Sequence, residues 1–106
     1  MYVITRQDLS PGYQGVQSMH AAIQFGFEHP EVSREWFHKS NYLGFLSVAN
    51  EEELERLIER ARVHDIKFSI FREPDIGDRI TAIAIEPGLK SKKLCSNLKL
   101  ALRDEK

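Results

Sequence analysis

Three side chains close together, Tyr13, Gln17 and His20, are of the types and at the spacing that can do chemistry. Positions three and four apart share a helix face. A helix here therefore presents a phenol, a carboxamide and an imidazole side by side. Imidazole titrates near neutrality and can take a proton from water, which makes His20 the leading candidate for a general base. As a plain structural residue it would instead bond a neighbouring carbonyl. Gln17 can orient a water or bind a substrate amide or ribose. Tyr13, in the first turn, lies near backbone N–H groups that have no helical partner and favour anions. Its phenol can donate to a developing oxyanion or stack on a base.

The pattern of the chain supplies the elements that must position these groups. Met1 to Arg6 reads as a strand. Ser10 can cap a helix and Pro11 suits its first position, and the helix runs to about Phe27. A polar pair just past a strand's carboxyl end sits where open α/β sheets bind ligands. Val16, Met19, Ile23 and Phe27 have the spacing of a buried stripe, and Tyr13, Gln17, His20 and Gln24 form a partly exposed one beside it. His29-Pro30 breaks the helix, and Glu31 to His38 is a short second one. Tyr42 to Ala49 is an almost continuously apolar strand, as in a sheet covered on both faces. Asn50 caps a third helix with Glu53 three residues on; Leu54, Leu57, Ile58 and Ala61 form its buried face. Asp65 to Arg72 is a third strand, Glu73 to Asp78 a turn, and Arg79 to Glu86 a fourth strand stopped by Pro87-Gly88. Leu94, Leu98 and Leu102 repeat every fourth residue and predict a terminal helix. Helical crossovers make strands one to three parallel, and the short turn makes strand four antiparallel to strand three. The expected fold is α/β: a three-layer α/β/α arrangement around a mixed four-stranded sheet. Its predicted core is Val16, Ile23, Leu43, Phe45, Leu54, Leu57, Ile58, Phe68, Ile70, Ile83 and Ile85.

Strand one, Asp8-Leu9, Gly12, Gln17, His20 and Ala21 together resemble the type II peptidyl-tRNA hydrolase family, whose first helix opens Gly-Lys-x-x-x-Gln-x-x-His-Ala. Tyr13 stands where that family has its lysine. The second half of the family's site is an Asp-Ala-Gly-Arg-Thr segment after strand three, then a second Thr opening strand four. Here Asp75-Ile76-Gly77 gives an Asp-x-Gly, and Thr81 is followed by an apolar run and Pro87. The Arg-Thr pair is missing and the loop is shorter. The resemblance, which covers Met1 to about Pro87, implies the same fold and a carboxylate role for Asp75 or Glu73 without deciding between them.

Composition bounds the rest. At 106 residues the expectation is a single domain, residues 1–106. No apolar run reaches the ~18 residues of a membrane span, and no secretory leader is visible. One cysteine, Cys95, cannot form an internal disulfide, so a cytoplasmic location is the default. Metal binding is not expected: His20, His29, His38 and His64 include no i, i+4 pair, and Cys95 has no partner thiol. No cofactor motif occurs. The net charge of −1 does not advertise nucleic acid, although Lys90, Lys92, Lys93 and Lys99 make the tail basic.

Two functions from different classes follow. One is an ester hydrolase of the peptidyl-tRNA hydrolase type, acting on acyl- or peptidyl-tRNA by water attack. In it His20 is the base or its relay, and Asp75 or Glu73 holds it or the water. Gln17 and Thr81 position the ester, Tyr13 replaces the lysine, and Arg6 and Arg79 are available for phosphates. Its partner is the 3′ end of tRNA; the oligomeric state is open, a homodimer included. The other is a non-catalytic module on the same fold, binding a protein, a nucleotide or a small ligand.

Overall fold

In the computed structural model, which describes residues 1–103, the first strand, β1 (Tyr2–Arg6), turns directly into α1 (Pro11–Glu28). Then come α2 (Pro30–His38), β2 (Gly44–Val48), α3 (Glu51–Val63) and β3 (Phe68–Glu73). A single 3-10 turn, Pro74–Ile76, leads to β4 (Arg79–Ile85), α4 (Leu89–Leu94) and β5 (Lys99–Leu100). Residues 104–106, included in the domain expected from the sequence, lie outside the described residues.

The sheet order is β3-β4-β1-β2-β5. β1 and β2 are parallel, and β4 runs antiparallel to both β1 and β3. Strands one to three therefore share a direction, as their crossovers require, with β4 inserted between the third and the first. This collects the carboxyl ends of β1, β2 and β3 and the amino end of β4 on one rim. Side chains alternate across the sheet. Ile4, Ile83 and Ile85 pack with Leu54, Leu57 and Ile58 of α3, while Val3, Ala82 and Ala84 pack with Ala21 and Phe25 of α1. The two buried clusters make the three layers.

Local chemistry explains the element ends. Asn50 accepts a hydrogen bond from the Glu53 N–H at 3.0 Å, the predicted cap of α3. Three glutamates fill the first turn of α3 and two arginines its last, both favourable with the helix dipole. Ser10 flanks α1 in an extended conformation, but its hydroxyl makes no cap bond; Pro11 takes the first helical position. The outer edge of β3 is blunted by α1 and the residue that ends it. Gln24 donates to the Ile70 carbonyl at 2.9 Å, and His29 Nε2 lies 3.0 Å from the Phe68 carbonyl. Occupied carbonyls cannot template another strand.

Three expectations need correction. The sheet has five strands rather than four, because the chain beyond Leu94 does not continue as a helix. Lys99 and Leu100 instead pair antiparallel with Ser47 and Leu46 of β2. Leu94 and Leu98 still reach the core on the α3 side, so a fourfold leucine repeat is met by a short helix followed by a strand. Leu43 is exposed, and Phe45, Phe68 and Ile70 are only half-buried, because β2 lies outside the area α1 covers and β3 is an edge. The largest correction is the rotation of α1. Val16, Met19, Ile23 and Phe27 face solvent, and Gln14, Gln17, Ser18, Ala21 and Phe25 are the buried residues. The sheet beneath α1 is made of small and hydroxyl side chains, Thr5, Thr81, Ala82 and Ala84. Small helix residues let the backbone approach it closely, and hydroxyls on it give a buried amide its partners.

Leu57 is 3% exposed at the centre of the α3 layer. Leu57→Ala should cost about 2–5 kcal/mol in urea-denaturation stability, from lost transfer energy and the cavity left behind. A loss below ~1 kcal/mol would show that α3 does not seat on the sheet as described.

Candidate functional site

The site begins with an irregularity in the sheet. Phe71 faces Ala82 and Arg72 faces Ile80, so the register skips Thr81. In an unbroken strand Thr81 would point with Ile83 and Ile85 toward α3. The extra residue re-aims it, and its hydroxyl meets α1 instead. Thr81 Oγ1 donates to Gln17 Oε1 at 2.6 Å, and Thr5 Oγ1 donates to the Thr81 carbonyl at 2.9 Å. The other end of the amide, Gln17 Nε2, donates to Glu73 Oε1 at 3.0 Å. A carboxylate only accepts, so Glu73 fixes which end of the amide faces it. Glu73 Oε2 accepts from the Asp75 N–H at 3.2 Å, which ties the carboxylate to the start of the 3-10 turn. Gly77 closes that turn at φ 74°, a left-handed conformation glycine adopts without strain.

The electrostatics centre on Glu73. The Gln17 amide, then the Asp75 N–H, hold its carboxyl below the usual carboxylate range against the opposing effect of burial; His20 and the Tyr13 phenol act in the same direction. Partial burial, then the negative charges of Glu73 and Asp75, push the Tyr13 phenol upward. His20 is exposed on the same face of α1. Its ring lies flat on Phe71, with centroids 4.5 Å apart and planes 5° from parallel. Among the described residues it makes no hydrogen bond or ion pair with Glu73 or Asp75.

Of the residues singled out from the sequence, Tyr13, Gln17, Glu73 and Thr81 thus come together, and His20 stands at their edge. Asp75 contributes its backbone N–H while its side chain is exposed. Arg6 and Arg79 do not join the cluster. Arg6 donates to both carboxylate oxygens of Asp8, at 2.9 and 3.0 Å, and to the Ile80 carbonyl at 3.0 Å. Arg79 donates to Glu51 Oε1 at 2.9 Å, and the other Glu51 oxygen accepts from the Ile80 N–H at 2.9 Å. Both arginines work on the α3 side of the sheet, gripping the residue just before the register skip. Phe71, Thr5 and Glu51 belong to this assembly, and no motif pointed to them. Strand alternation could have marked Thr5 as facing α1, but nothing local announces the skip. Across the first turn of α1, at the same rim, lies a recess of about 380 Å³ lined by residues including Gln7, Gln14 and Ser47.

With this geometry established, the comparison with known families is decisive. The sequence model of the family described as Peptidyl-tRNA hydrolase PTH2 matches residues 1–101 of the 106. The chain belongs to the PTH2 family. Membership brings a peptidyl-tRNA hydrolase-like function. A search of curated proteins finds no match. Among the described residues of this PTH2 chain, no group of three or more His, Cys, Asp or Glu could hold a metal ion. No helix among them is long and apolar enough to cross a membrane.

Two measurements test this site. Gln17 is 1% exposed, and Thr81→Val would leave its Oε1 without a donor. That should cost about 1–3 kcal/mol in chemical denaturation, with Thr81→Ser recovering most of it. The second concerns acid. Burial raises the Glu51 pKa, but the Ile80 N–H and Arg79 outweigh it, and the folded pKa lies below the ordinary value. Glu51 therefore stabilises the fold fully above its unfolded pKa of about 4.3, and that stability is lost as pH falls toward the folded value. Glu51→Gln should lower stability at pH 7 and flatten its decline between about pH 5 and 3, followed by thermal melts across that range.

Proposed function

We propose that this chain is a carboxylic ester hydrolase of the peptidyl-tRNA hydrolase type. It would release an acyl or peptidyl group from the terminal ribose of tRNA by attack of one water. The observation that carries this reading is the buried Gln17 amide, held between Thr81 and Glu73 on the rim of a PTH2 fold. The water oxygen bonds to the acyl carbon as His20 takes its proton. The bond from acyl carbon to ribose oxygen breaks, and the imidazolium returns the proton to the departing oxygen. Glu73 takes the carboxylate role in preference to Asp75, because Gln17 binds Glu73 while the Asp75 side chain stays in solvent. Its charge favours the imidazolium formed at His20 and orients the water. Gln17 and Thr81 fix the rim against which the ester lies, and Tyr13 is the hydroxyl donor for the oxyanion. Arg6 is engaged by Asp8 and the Ile80 carbonyl, while the exposed Arg79 holds Glu51 through one guanidinium nitrogen and keeps its other donors available to a phosphate; Arg6 directly, and Arg79 through Glu51, also hold Ile80. The tRNA 3′ end is the partner, and a cytoplasmic location goes with it.

One observation favours a second reading, the non-catalytic binding module. Among the described residues His20 is seated on Phe71 without a carboxylate partner, beside a Tyr13 that cannot supply a lysine's charge.

Release of free tRNA from acyl- or peptidyl-tRNA by the pure protein separates the two. Activity that falls ~10²–10⁴-fold in His20→Ala, with an unchanged circular dichroism spectrum, supports the hydrolase with His20 as base. Unchanged turnover in the folded variant removes His20 from the mechanism. If the wild type is inactive, Tyr13→Lys becomes informative. Activity gained there marks a degenerate hydrolase site, and continued inactivity favours the module.

A further inference from the structure

The amino ends of β1 and β2 lie on the rim opposite the Gln17 cluster, with α4 beside them. A recess of about 610 Å³ opens there between α4, the chain that follows it and the loop before β2, within the roughly 300–1,000 Å³ of small-molecule pockets. Tyr2, Tyr42, Leu46, Cys95, Leu98 and Lys92 are among its lining residues. Tyr2, Leu46, Cys95 and Leu98 belong to the core on the α3 side, so the recess is a stretch of that core left open. Its walls are set in place by the fold. The Tyr2 ring lies against Gly44, where an added Cβ would come within 2.9 Å of it. The Tyr42 ring meets Tyr2 edge-on, with centroids 5.8 Å apart. The Tyr42 carbonyl accepts from the Trp36 indole at 2.6 Å and from the Met1 amino group at 2.8 Å, which pins the loop. Burial pushes the Cys95 thiol up to about 11, so this wall is uncharged at neutral pH. No Asp or Glu lines the recess. Glu86, just after β4, is turned to the Lys67 N–H. Lys92 is exposed at the recess, and among the described residues it has no carboxylate partner.

We propose that this recess is a second ligand site, which takes a small planar aromatic molecule bearing one carboxylate. Two tyrosine rings held edge to face offer a third ring both a face and an edge, the arrangements aromatic groups prefer. Leu46 and Leu98 supply the apolar floor beneath it. Both phenol hydroxyls are without a protein partner among the described residues. Burial, then Tyr42 and Cys95, push the Tyr2 phenol up, so it stays protonated and can donate. Lys92 is a single point charge and balances a single carboxylate; a phosphate monoester carries nearly two charges at pH 7. The length of β1, roughly 15 Å, separates this site from the Gln17 cluster. Its occupant therefore leaves the catalytic rim open, and the site stands apart from the ester-hydrolase reading.

The test follows the backbone amide resonances of the isotope-labelled full chain as naphthoate, and separately the uncharged naphthylmethanol, is added. Naphthoate should shift the amides of Tyr2, Tyr42, Lys92 and Leu98 saturably and leave those of Gln17 and Glu73 in place. Naphthylmethanol should shift the same amides with an affinity ~3–5-fold lower, the value of one solvent-exposed ion pair. Lys92→Met, a change at an exposed position, should bring naphthoate down to the affinity of the alcohol and leave the alcohol unaffected. Tyr42→Ala should weaken both compounds, since it removes one ring and keeps the backbone carbonyl that pins the loop. The absence of saturable shifts, or shifts centred on the exposed apolar residues Met19 and Phe27 of α1, would overturn the site. Equal affinity for acid and alcohol, or full naphthoate binding by Lys92→Met, would overturn the carboxylate. Unchanged binding by Tyr42→Ala would overturn the aromatic class.

Discussion

The Gln17 carboxamide is buried between α1 and the sheet, and a buried amide is costly unless both its ends are hydrogen-bonded. Thr81 serves the oxygen and Glu73 the nitrogen. These bonds bind three elements at once: α1, the amino end of β4 and the carboxyl end of β3. Rotating α1 by one residue, about 100°, would strip the amide of both partners. The arrangement therefore fixes the rotation of α1 more firmly than the apolar content of the helix does. Phe25, Ala21 and Ser18 follow Gln17 inward, and the Met19–Ile23 stripe is carried outward.

The same constraint explains why the sheet is irregular where it is. Thr81 reaches Gln17 only because β4 holds one residue more than β3 at that point. A skip in register weakens a ladder locally, and the α3 side of the sheet compensates. Arg6 holds the Ile80 carbonyl and Glu51 holds the Ile80 N–H, so the residue next to the skip is bonded at both backbone groups. Asp8 and Arg79 keep the two clamping side chains in place. The charged clamp on one face and the polar cluster on the other are two sides of one device. It presents Glu73, Thr81 and Gln17 at the rim where the carboxyl ends of three strands converge.

One helix thus serves two surfaces. Its Tyr13–Gln17–His20 side meets β3 and β4 and carries the polar groups, with His20 resting on Phe71. Its outer side is apolar and free of formal charge. The β3 edge beside it is kept from pairing by Gln24 and His29, which occupy its carbonyls.

Up to Pro87 the element order was legible in the sequence because local physics decides it. His29-Pro30, the Asn50 cap with its glutamates and Pro87-Gly88 each end or start an element by backbone or dipole effects that neighbours alone supply. The spacing of Tyr13, Gln17 and His20 on one helix face was likewise readable, and with Asp8-Leu9 and Gly12 it reached the PTH2 family. Which face of α1 turns inward was not readable. Periodicity detects two stripes but cannot know that the floor below α1 sets two threonine hydroxyls beside Val3 and the alanines, so that an amide can be buried there. Nor does any neighbour of Glu73 or Asp75 say which carboxylate Gln17 will meet, since Gln17 and Glu73 are 56 residues apart and joined only by the packing of α1 on β3. The leucine repeat after Pro87 carried the same ambiguity, for Lys99 and Leu100 become a strand because β2 has an open edge to receive them. Local sequence set the elements and the family; the partners waiting across the sheet set helix rotation, strand register and the choice of carboxylate.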